Sequence, residues 1–458
     1  MAGGGWLPSH TTRMVTCTLL AALATLSPMP SADPVLAMRD RGLTDLYAFD
    51  LLRELTSGGS RLSGSEGAAK AVAWGEATMR RMGFENVRLV PCTVPHWVRG
   101  GKELATIVGG DSLSVAALGG SDGTPAGGIT AEVIEVGSLA EAAKLGERAK
   151  GKIVFFNGRF DAKQTSTFAM YGGAVGQRVT GASTVSPFGA VAVLVRSMTL
   201  AVDDEPHTGA MRYAADAPRI PAAALSLIAA NRLSKAVKAG STRVRLELSC
   251  ENLPDAPSAS VVGELRGSQW PQEVIVMGGH LDSWDLGVGA HDDGAGIVQS
   301  LDALRLIKEV AGRPKRTVRV VLFMNEENGG RGADAYAFGV KMSGEKHVAG
   351  IESDSGGFMP RAFNTSLKAG QDAKIRSWLP SLAPLGIERF TLGGGGGADV
   401  APLGPLGAAL FGLTPDNQRY FDYHHSRNDT LDKVNPRELQ MGAIALATLA
   451  WKISEEGL

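Results

Sequence analysis

The chain reads as an α/β protein, a mixed, mostly parallel sheet flanked by helices and interrupted by a β-rich insertion. Three observations predict this. Beyond residue 254, short apolar and β-branched runs alternate with helical patterns, as in a strand–helix sheet. Histidines and acids stand where several of those strands should end. Near Gly119 the composition shifts to a Gly-, Ser- and Thr-rich stretch, and near Pro254 it shifts back.

The length of 458 residues is too great for one ordinary domain. With 44% hydrophobic and 20% charged residues, the chain suits a globular protein with a large core. A net charge of −1 gives no electrostatic reason to expect nucleic acid or an anionic membrane as partner. The N-terminus reads as an export signal over 1–32, which predicts a secreted or periplasmic protein. Arg13 precedes an uncharged apolar run over 14–26, and small residues with proline follow over 27–32. The run is shorter than the ~20 residues of a membrane span. Cys17 lies inside it, leaving Cys92 and Cys250, which an oxidising compartment would allow to pair.

Taken in order, 43–56 has apolar residues at helical spacing, 61–67 is a loop, 68–82 is an amphipathic helix closed by Gly83, and 86–94 is a strand. Apolar segments follow at 104–107 and 112–118. The insertion is placed at 119–254, with strands at 131–136, 152–157, 190–195 and 243–248 and helices at 139–145 and 225–239. It holds no cluster of histidines and acids, so its expected role is to shape or cover a site. Residues 254–258 read as a return linker. The catalytic domain is therefore expected over 38–118 and 255–458. Its strands are predicted at 259–265, 273–277, 318–324, 348–352 and 408–412, and its helices at 295–310, 333–342, 372–379 and 436–456.

The chemistry begins at 273–293. His280 and Asp282 follow the strand, and at i and i+2 on extended chain they share a face. Asp292 and Asp293 open the next helix, where acids can also serve merely as caps. Gly287–Asp292 nearly spells a dinucleotide fingerprint, but its sixth position is an acid, which would face a pyrophosphate. Asn325-Glu326-Glu327-Asn328 ends the next apolar strand, and adjacent glutamates there project in different directions. Glu352-Ser353-Asp354 ends another, and Tyr423-His424-His425-Ser426 lies in a polar loop before Asp429. Together these segments bring His, Asp and Glu to one edge of the sheet, where open α/β sheets bind ligands. Imidazole and carboxylate suit zinc, and this number of them suits two ions sharing a carboxylate.

The set HLD, GAHDDGAG, NEEN, ESD and HHS resembles the cocatalytic zinc peptidases of family M28. VPHWVRG at 94–100, GGHLDSWDLG at 278–287 and FDYHHSRNDT at 421–430 resemble its carboxypeptidase Q-like branch. The resemblance spans nearly all of the chain after the signal, and it implies the following. Two Zn²⁺ ions are bound, one by His280 and Asp354, the other by Glu327 and His425, with Asp292 bridging. Asp282 orients the His280 ring, and Glu326 is the general base acting on a water between the ions. The Asp292–Asp293 peptide is cis. The insertion is a protease-associated (PA)-like domain. Residues 393–399 form a Gly-rich substrate loop, and the substrate is a small peptide, dipeptides included. A homodimer is possible.

Chemistry alone leaves His424 and His425 as alternative ligands, and Tyr423, His424 or a loop N–H as candidate oxyanion donors. His291 is taken as a non-ligand. An aminopeptidase is the main alternative, since Arg331, Arg361 and Asp399 all lie near motif segments and either peptide terminus could be the one recognised. A metal-free binding protein on the same fold is a more distant one.

Overall fold

The computed structural model describes residues 33–458, together with Met1 and Gly3–Gly5. The expected export signal lies outside the described residues. Among the described residues, no helix is long and apolar enough to cross a membrane.

The first of two eight-stranded sheets runs in the order Glu85–Val98, Glu251–Leu265, Arg316–Phe323, Trp270–His280, Lys346–Glu352, Ala409–Pro415, Pro360–Thr365, Arg389–Leu392. The four central strands, from Arg316–Phe323 to Ala409–Pro415, are parallel. Their sequences are continuous apolar runs because both faces are covered. Ile275, Met277, Val318 and Val320 pack into a core with the helices Ala295–Leu306 and Pro436–Glu456. The alternate residues Val274, Val276 and Val321 pack with the helix Arg331–Ser343 on the other face. Helix Pro436–Glu456 starts where the sequence predicts: the Asn435 side chain accepts from the N–H groups of Arg437 and Glu438, and Pro436 takes the first turn.

The second sheet runs in the order Ser112–Leu113, Glu103–Ile107, Arg243–Leu248, Ile129–Val136, Ile153–Phe156, Ala192–Arg196, Ala222–Leu225, Val115–Ala117. It too has a parallel centre, from Ile129–Val136 to Ala222–Leu225. The helices Thr167–Ala174, Gly176–Val185 and Leu227–Ala239 accompany it.

Several local expectations need correcting. The expected break at 118/119 falls inside the second sheet. Glu103–Ile107 pairs with Arg243–Leu248, and Val115–Ala117 pairs with Ala222–Leu225, so the excursion begins after Val98. Residues 254–258 are not a linker but part of the strand Glu251–Leu265, paired with Glu85–Val98. On its other side that strand pairs only over Val261–Leu265, so its prolines sit where the missing N–H has no ladder to break. The helix expected at 43–56 is two helices, Pro34–Asp45 and Tyr47–Thr56, broken by Leu46 at φ 49°. Cys92 and Cys250 are both free thiols.

Candidate metal centre

Every predicted ligand lies at the carboxyl ends of the central strands or in the loops that follow. His280 is the last residue of its strand, Glu326 and Glu327 follow Phe323 within four residues, and Asp354 comes two residues after Glu352. His425 enters from the loop after Ala409–Pro415 and the short helix Tyr420–Tyr423.

The side chains converge on Asp292. Its Oδ1 lies 3.2 Å from His280 Nε2, and its Oδ2 lies 3.1 Å from His425 Nε2. His280 Nε2 is also 3.6 Å from Asp354 Oδ1, and His425 Nε2 is 3.0 Å from Glu327 Oε2. One carboxylate thus joins two half-sites, His280 with Asp354 and His425 with Glu327. Asp292 Oδ2, Glu327 Oε1 and Asp354 Oδ1 are buried and accept no hydrogen bond. Buried oxygens without partners are costly, and a cation would satisfy them. A space of about 10 Å³ lined by Asp292, Glu327, His425, Trp284 and Asp429 has room for one atom-sized occupant. These residues fit a metal ion.

Charge follows from the same geometry. Burial opposes a proton on His280, but Asp292 and Asp354 outweigh it and lift its pKa well above the ordinary histidine value. His425 behaves likewise: burial works against the charge, and Glu327 with Asp292 carries it to about 10. Burial would raise Asp292, yet His280 and His425 hold it well below the usual carboxylate range. The histidines and acids thus stabilise one another's charged forms, and a cation bound here would compete with protons for the same groups. Glu326 has no hydrogen-bonded side-chain partner in the cluster. Burial, reinforced by Asp354, Glu327 and Asp292 against His280, raises it to about 8.

The supporting groups differ from expectation at one residue. Asp282 does not orient His280 through its carboxylate. His280 Nδ1 donates to the Asp282 backbone carbonyl at 3.0 Å, while the nearest carboxylate oxygen is 3.9 Å away. The carboxylate instead accepts the N–H groups of Asn325 (2.7 Å) and Glu326 (3.2 Å) and the Ser63 hydroxyl (2.8 Å). Asp282 therefore fixes the turn that aims both glutamates, a turn that holds Asn325 at φ 75°. Asp293 turns away from the cluster, accepting from His280 N and Gly296 N at the start of the helix. The Asp292–Asp293 peptide is cis.

His291 is buried between Phe358 and Tyr423, accepting from Gly357 N–H at Nδ1 and facing the Lys433 carbonyl with Nε2, so it is structural. His424 stacks on His425 at 3.4 Å between ring centroids, with its Nε2 3.7 Å from Asp292 Oδ2. His425 makes the shorter contacts with both acids.

Some functional residues had no sequence signal that singled them out. Asp429 accepts the N–H groups of His291 (2.7 Å) and Asp292 (3.1 Å), and so fixes the backbone at Asp292. Arg61, buried in the loop before the helix Glu66–Arg81, donates to the carbonyls of Leu281, Val288 and Gly289 and holds the loop between His280 and Asp292. Tyr420 is buried near the acids. Its pKa is pushed well above 10, first by burial and then by Asp292, Asp354 and Glu327. Its place four residues before His424 in a loop already marked by histidines was the available clue. Tyr423, the tyrosine the sequence favoured, stacks on His291 instead.

Beside Asp354 opens a cavity of about 400 Å³ lined by Glu352, Ser355, Asn364, Gly396, Gly397 and Thr414, with Ser166 and Phe168 reaching over from the second sheet's unit. The Gly-rich loop does line the cavity. At Gly397 a Cβ would stand 2.0 Å from Glu352 Oε1, so a side chain there would displace the Glu352 carboxylate. Arg331 and Arg361 lie elsewhere, in exposed ion pairs with Asp255 and Asp416.

This arrangement has counterparts. Residues 260–450, which carry the whole cluster, match the model of peptidase family M28. Carboxypeptidase Q of Xenopus laevis is 38% identical over 403 residues, covering 87% of this chain and 83% of the relative. Mouse carboxypeptidase Q is 35% identical over 400 residues with the same coverage. Among solved structures, a peptidase M28 precursor from Shewanella amazonensis superposes with a TM-score of 0.89 at 33% identity, covering 93% of this chain and 96% of that one. A Bacillus subtilis zinc aminopeptidase shares the fold, at a TM-score of 0.65 and 18% identity over 90% of this chain and 95% of that one. The likeness to the curated relatives extends well beyond the matched domain, through the second sheet as well as the first, and with it the chain belongs to peptidase family M28, as a metallo-exopeptidase of the carboxypeptidase Q kind.

Proposed function

We propose that this chain is a two-zinc exopeptidase acting on small peptides, dipeptides included. The observation that carries the proposal is Asp292, whose two oxygens face histidines from opposite half-sites. His280 and Asp354 would hold one ion and His425 and Glu327 the other, with Asp292 shared. Zinc, when bound, supplies Lewis acidity towards a carbonyl oxygen and towards water.

The chain's own residues do the rest. Glu326 is half-buried beside the ligands and hydrogen-bonds no other side chain; in its ionised form it takes the proton of the attacking water and returns it to the leaving amine. Asp282 fixes the backbone at Asn325 and Glu326 from which both glutamates project. Tyr420, buried with its ring centroid 5.1 Å from that of His424, offers a phenolic O–H to the oxyanion. The 400 Å³ cavity receives the substrate's side chain or terminus.

One observation favours an aminopeptidase-like mode of recognition. The residues lining that cavity include Glu352 and Asp354 but no lysine or arginine. Such a lining suits a free α-amine better than a carboxylate.

The second sheet's unit is read as a PA-like domain, and the run over 14–26 as an export signal. Phe338 and Met342, exposed one turn apart on the helix Arg331–Ser343, suit a homodimer contact that light scattering would test.

The test of function is zinc content of the purified chain together with a panel of dipeptides, free and blocked at either end. Zinc near two per chain, with hydrolysis lost on chelation and restored by zinc, is expected. Blocking the amine should cost more rate than blocking the carboxylate. A chain that takes up no zinc and cleaves nothing would instead be a binding protein on this fold.

A further inference from the structure

His425 reaches the cluster from a loop, and most of what orients it comes from the other sheet's unit. Its Nδ1 lies 3.3 Å from the Thr208 carbonyl and 3.4 Å from the Arg178 guanidinium, while Nε2 faces Asp292 and Glu327. Its own carbonyl accepts the Thr208 N–H at 3.0 Å. This second bond matters because His425 sits at φ 61°, a region that non-glycine residues occupy only when their surroundings hold them there. One residue back, the His424 carbonyl accepts from His207 Nδ1 at 2.7 Å.

The bracing segment is itself pinned. The Thr208 hydroxyl donates to the Ala117 carbonyl at 2.7 Å, on the end strand of the second sheet. Arg178, on the helix Gly176–Val185, donates to the Thr208 carbonyl at 3.2 Å and to the Tyr171 hydroxyl at 2.7 Å. Arg178, His207 and Thr208 are all buried. The Tyr171 ring stacks on Phe421 at 4.7 Å, and Phe168 stacks on Tyr420 at 5.4 Å, so the same unit also seats the helix that precedes the histidines. On the other flank Trp284 packs against Gly119, where a Cβ would lie 1.8 Å from the indole. Arg99 ties the same loop to the unit through Asp285, with contacts of 2.6 and 2.8 Å.

We infer that Arg178, His207 and Thr208 are positioning residues of the metal centre: the unit built on the second sheet fixes the backbone and ring orientation of His425, and through it the ion held with Glu327. The inference rests on the reading of His425 as a ligand. A histidine ligand whose remaining ring N–H loses its acceptor typically loses 10–100-fold in metal affinity. The half-site of His280 and Asp354 makes no contact with these three residues and should be untouched by them.

The test uses the full-length zinc enzyme. Zinc affinity is measured for both ions by chelator competition, and cobalt(II) is substituted for zinc so that its visible spectrum reports ligand geometry. Arg178→Met and His207→Ala are compared with the milder His207→Asn and Tyr171→Phe. The expected result is one ion weakened about 10–100-fold and the other retained. The cobalt spectrum should change, kcat should fall more than KM rises, and His207→Asn should recover most of the loss. If Arg178→Met does not fold, as melting would show, His207→Ala and Tyr171→Phe decide the matter. Wild-type affinity for both ions and an unchanged cobalt spectrum in the folded variants would overturn the inference. So would a change confined to KM, because these residues would then shape the substrate's surroundings alone. A wild-type chain that binds no zinc would instead remove the proposed function itself.

Discussion

The two halves of the centre are built differently. His280 and Asp354 stand at the ends of neighbouring strands, and the acceptor for His280 Nδ1 is the carbonyl of Asp282, two residues on. His425 stands in a loop, and the acceptor for its Nδ1 is the carbonyl of Thr208, in the other unit and 217 residues away in sequence. The first half comes with the sheet, so folding that sheet is enough to form it. The second half is complete only when two units have docked. On the proposed two-ion reading, activity would depend on the contact between units, although the proposed ligands all belong to one of them.

The largest effects should come from the adjacent glutamates, which share a turn but belong to different parts of this arrangement. Glu326→Gln keeps size and hydrogen bonding but cannot accept a proton. It should retain both zincs and lose about 10²–10⁴-fold in kcat. Glu327→Gln should lose the ion on the loop side as well as activity, while His280 and Asp354 keep theirs. Zinc per chain and dipeptide turnover separate the two. Loss of metal in Glu326→Gln but not in Glu327→Gln would reverse the assignment. Tyr420→Phe removes only the phenolic donor and should cost about 10²–10³-fold in kcat with metal content unchanged.

A smaller effect tests the strand-end side. Asp282→Ala leaves the N–H groups of Asn325 and Glu326 and the Ser63 hydroxyl buried without their acceptor. It should cost about 3 kcal/mol in urea unfolding, with Asp282→Asn recovering part. If Asp282→Ala disturbed only the zinc at His280 and left stability alone, the carboxylate would be orienting that ring after all.

The smallest effect is a control on stability away from the cluster. His347 lies near the start of the strand that ends at Glu352, buried, with Nε2 2.8 Å from the Tyr336 hydroxyl. Burial, and then Arg319, lowers its pKa to about 4. The folded state therefore prefers the neutral ring. Its contribution is complete above the unfolded value of about 6.5 and is lost as pH falls from there towards 4. His347→Gln should flatten the pH dependence of stability by about 1 kcal/mol between pH 6.5 and 5.5. An unchanged slope would show that the ring is already charged in the folded protein.

The strand-end half was the legible one. A strand's period of two and the rule that open sheets bind ligands at their carboxyl edge put His280, the Asp292–Asp293 pair, the Glu326–Glu327 pair and Asp354 together from local sequence, and the resemblance chose within the pairs. The choice between His424 and His425 came from the family resemblance and not from chemistry, because adjacent imidazoles are alike; in the fold the position of Thr208 separates them. Asp282 was misread because a carboxylate two residues from a histidine can reach either the ring or the next strand's turn, and the decision lies with Asn325. Arg61 left no trace, since its partners are backbone carbonyls more than 200 residues away. The start of the second unit was placed too late for a similar reason. Glu103–Ile107 and Val115–Ala117 are short strands whose partners are 243–248 and 222–225, so nothing local says which sheet they join.

The central claim is that Asp292 joins two metal positions, one made by strand ends and one made by a braced loop. Anomalous scattering from zinc-loaded crystals at the zinc edge tests it most directly. The account predicts two peaks on either side of the Asp292 carboxylate, one in contact with His280 and Asp354, the other with Glu327 and His425. A single peak, a ligand role for His424 in place of His425, or metal at Glu352 and Asp399 instead would contradict it.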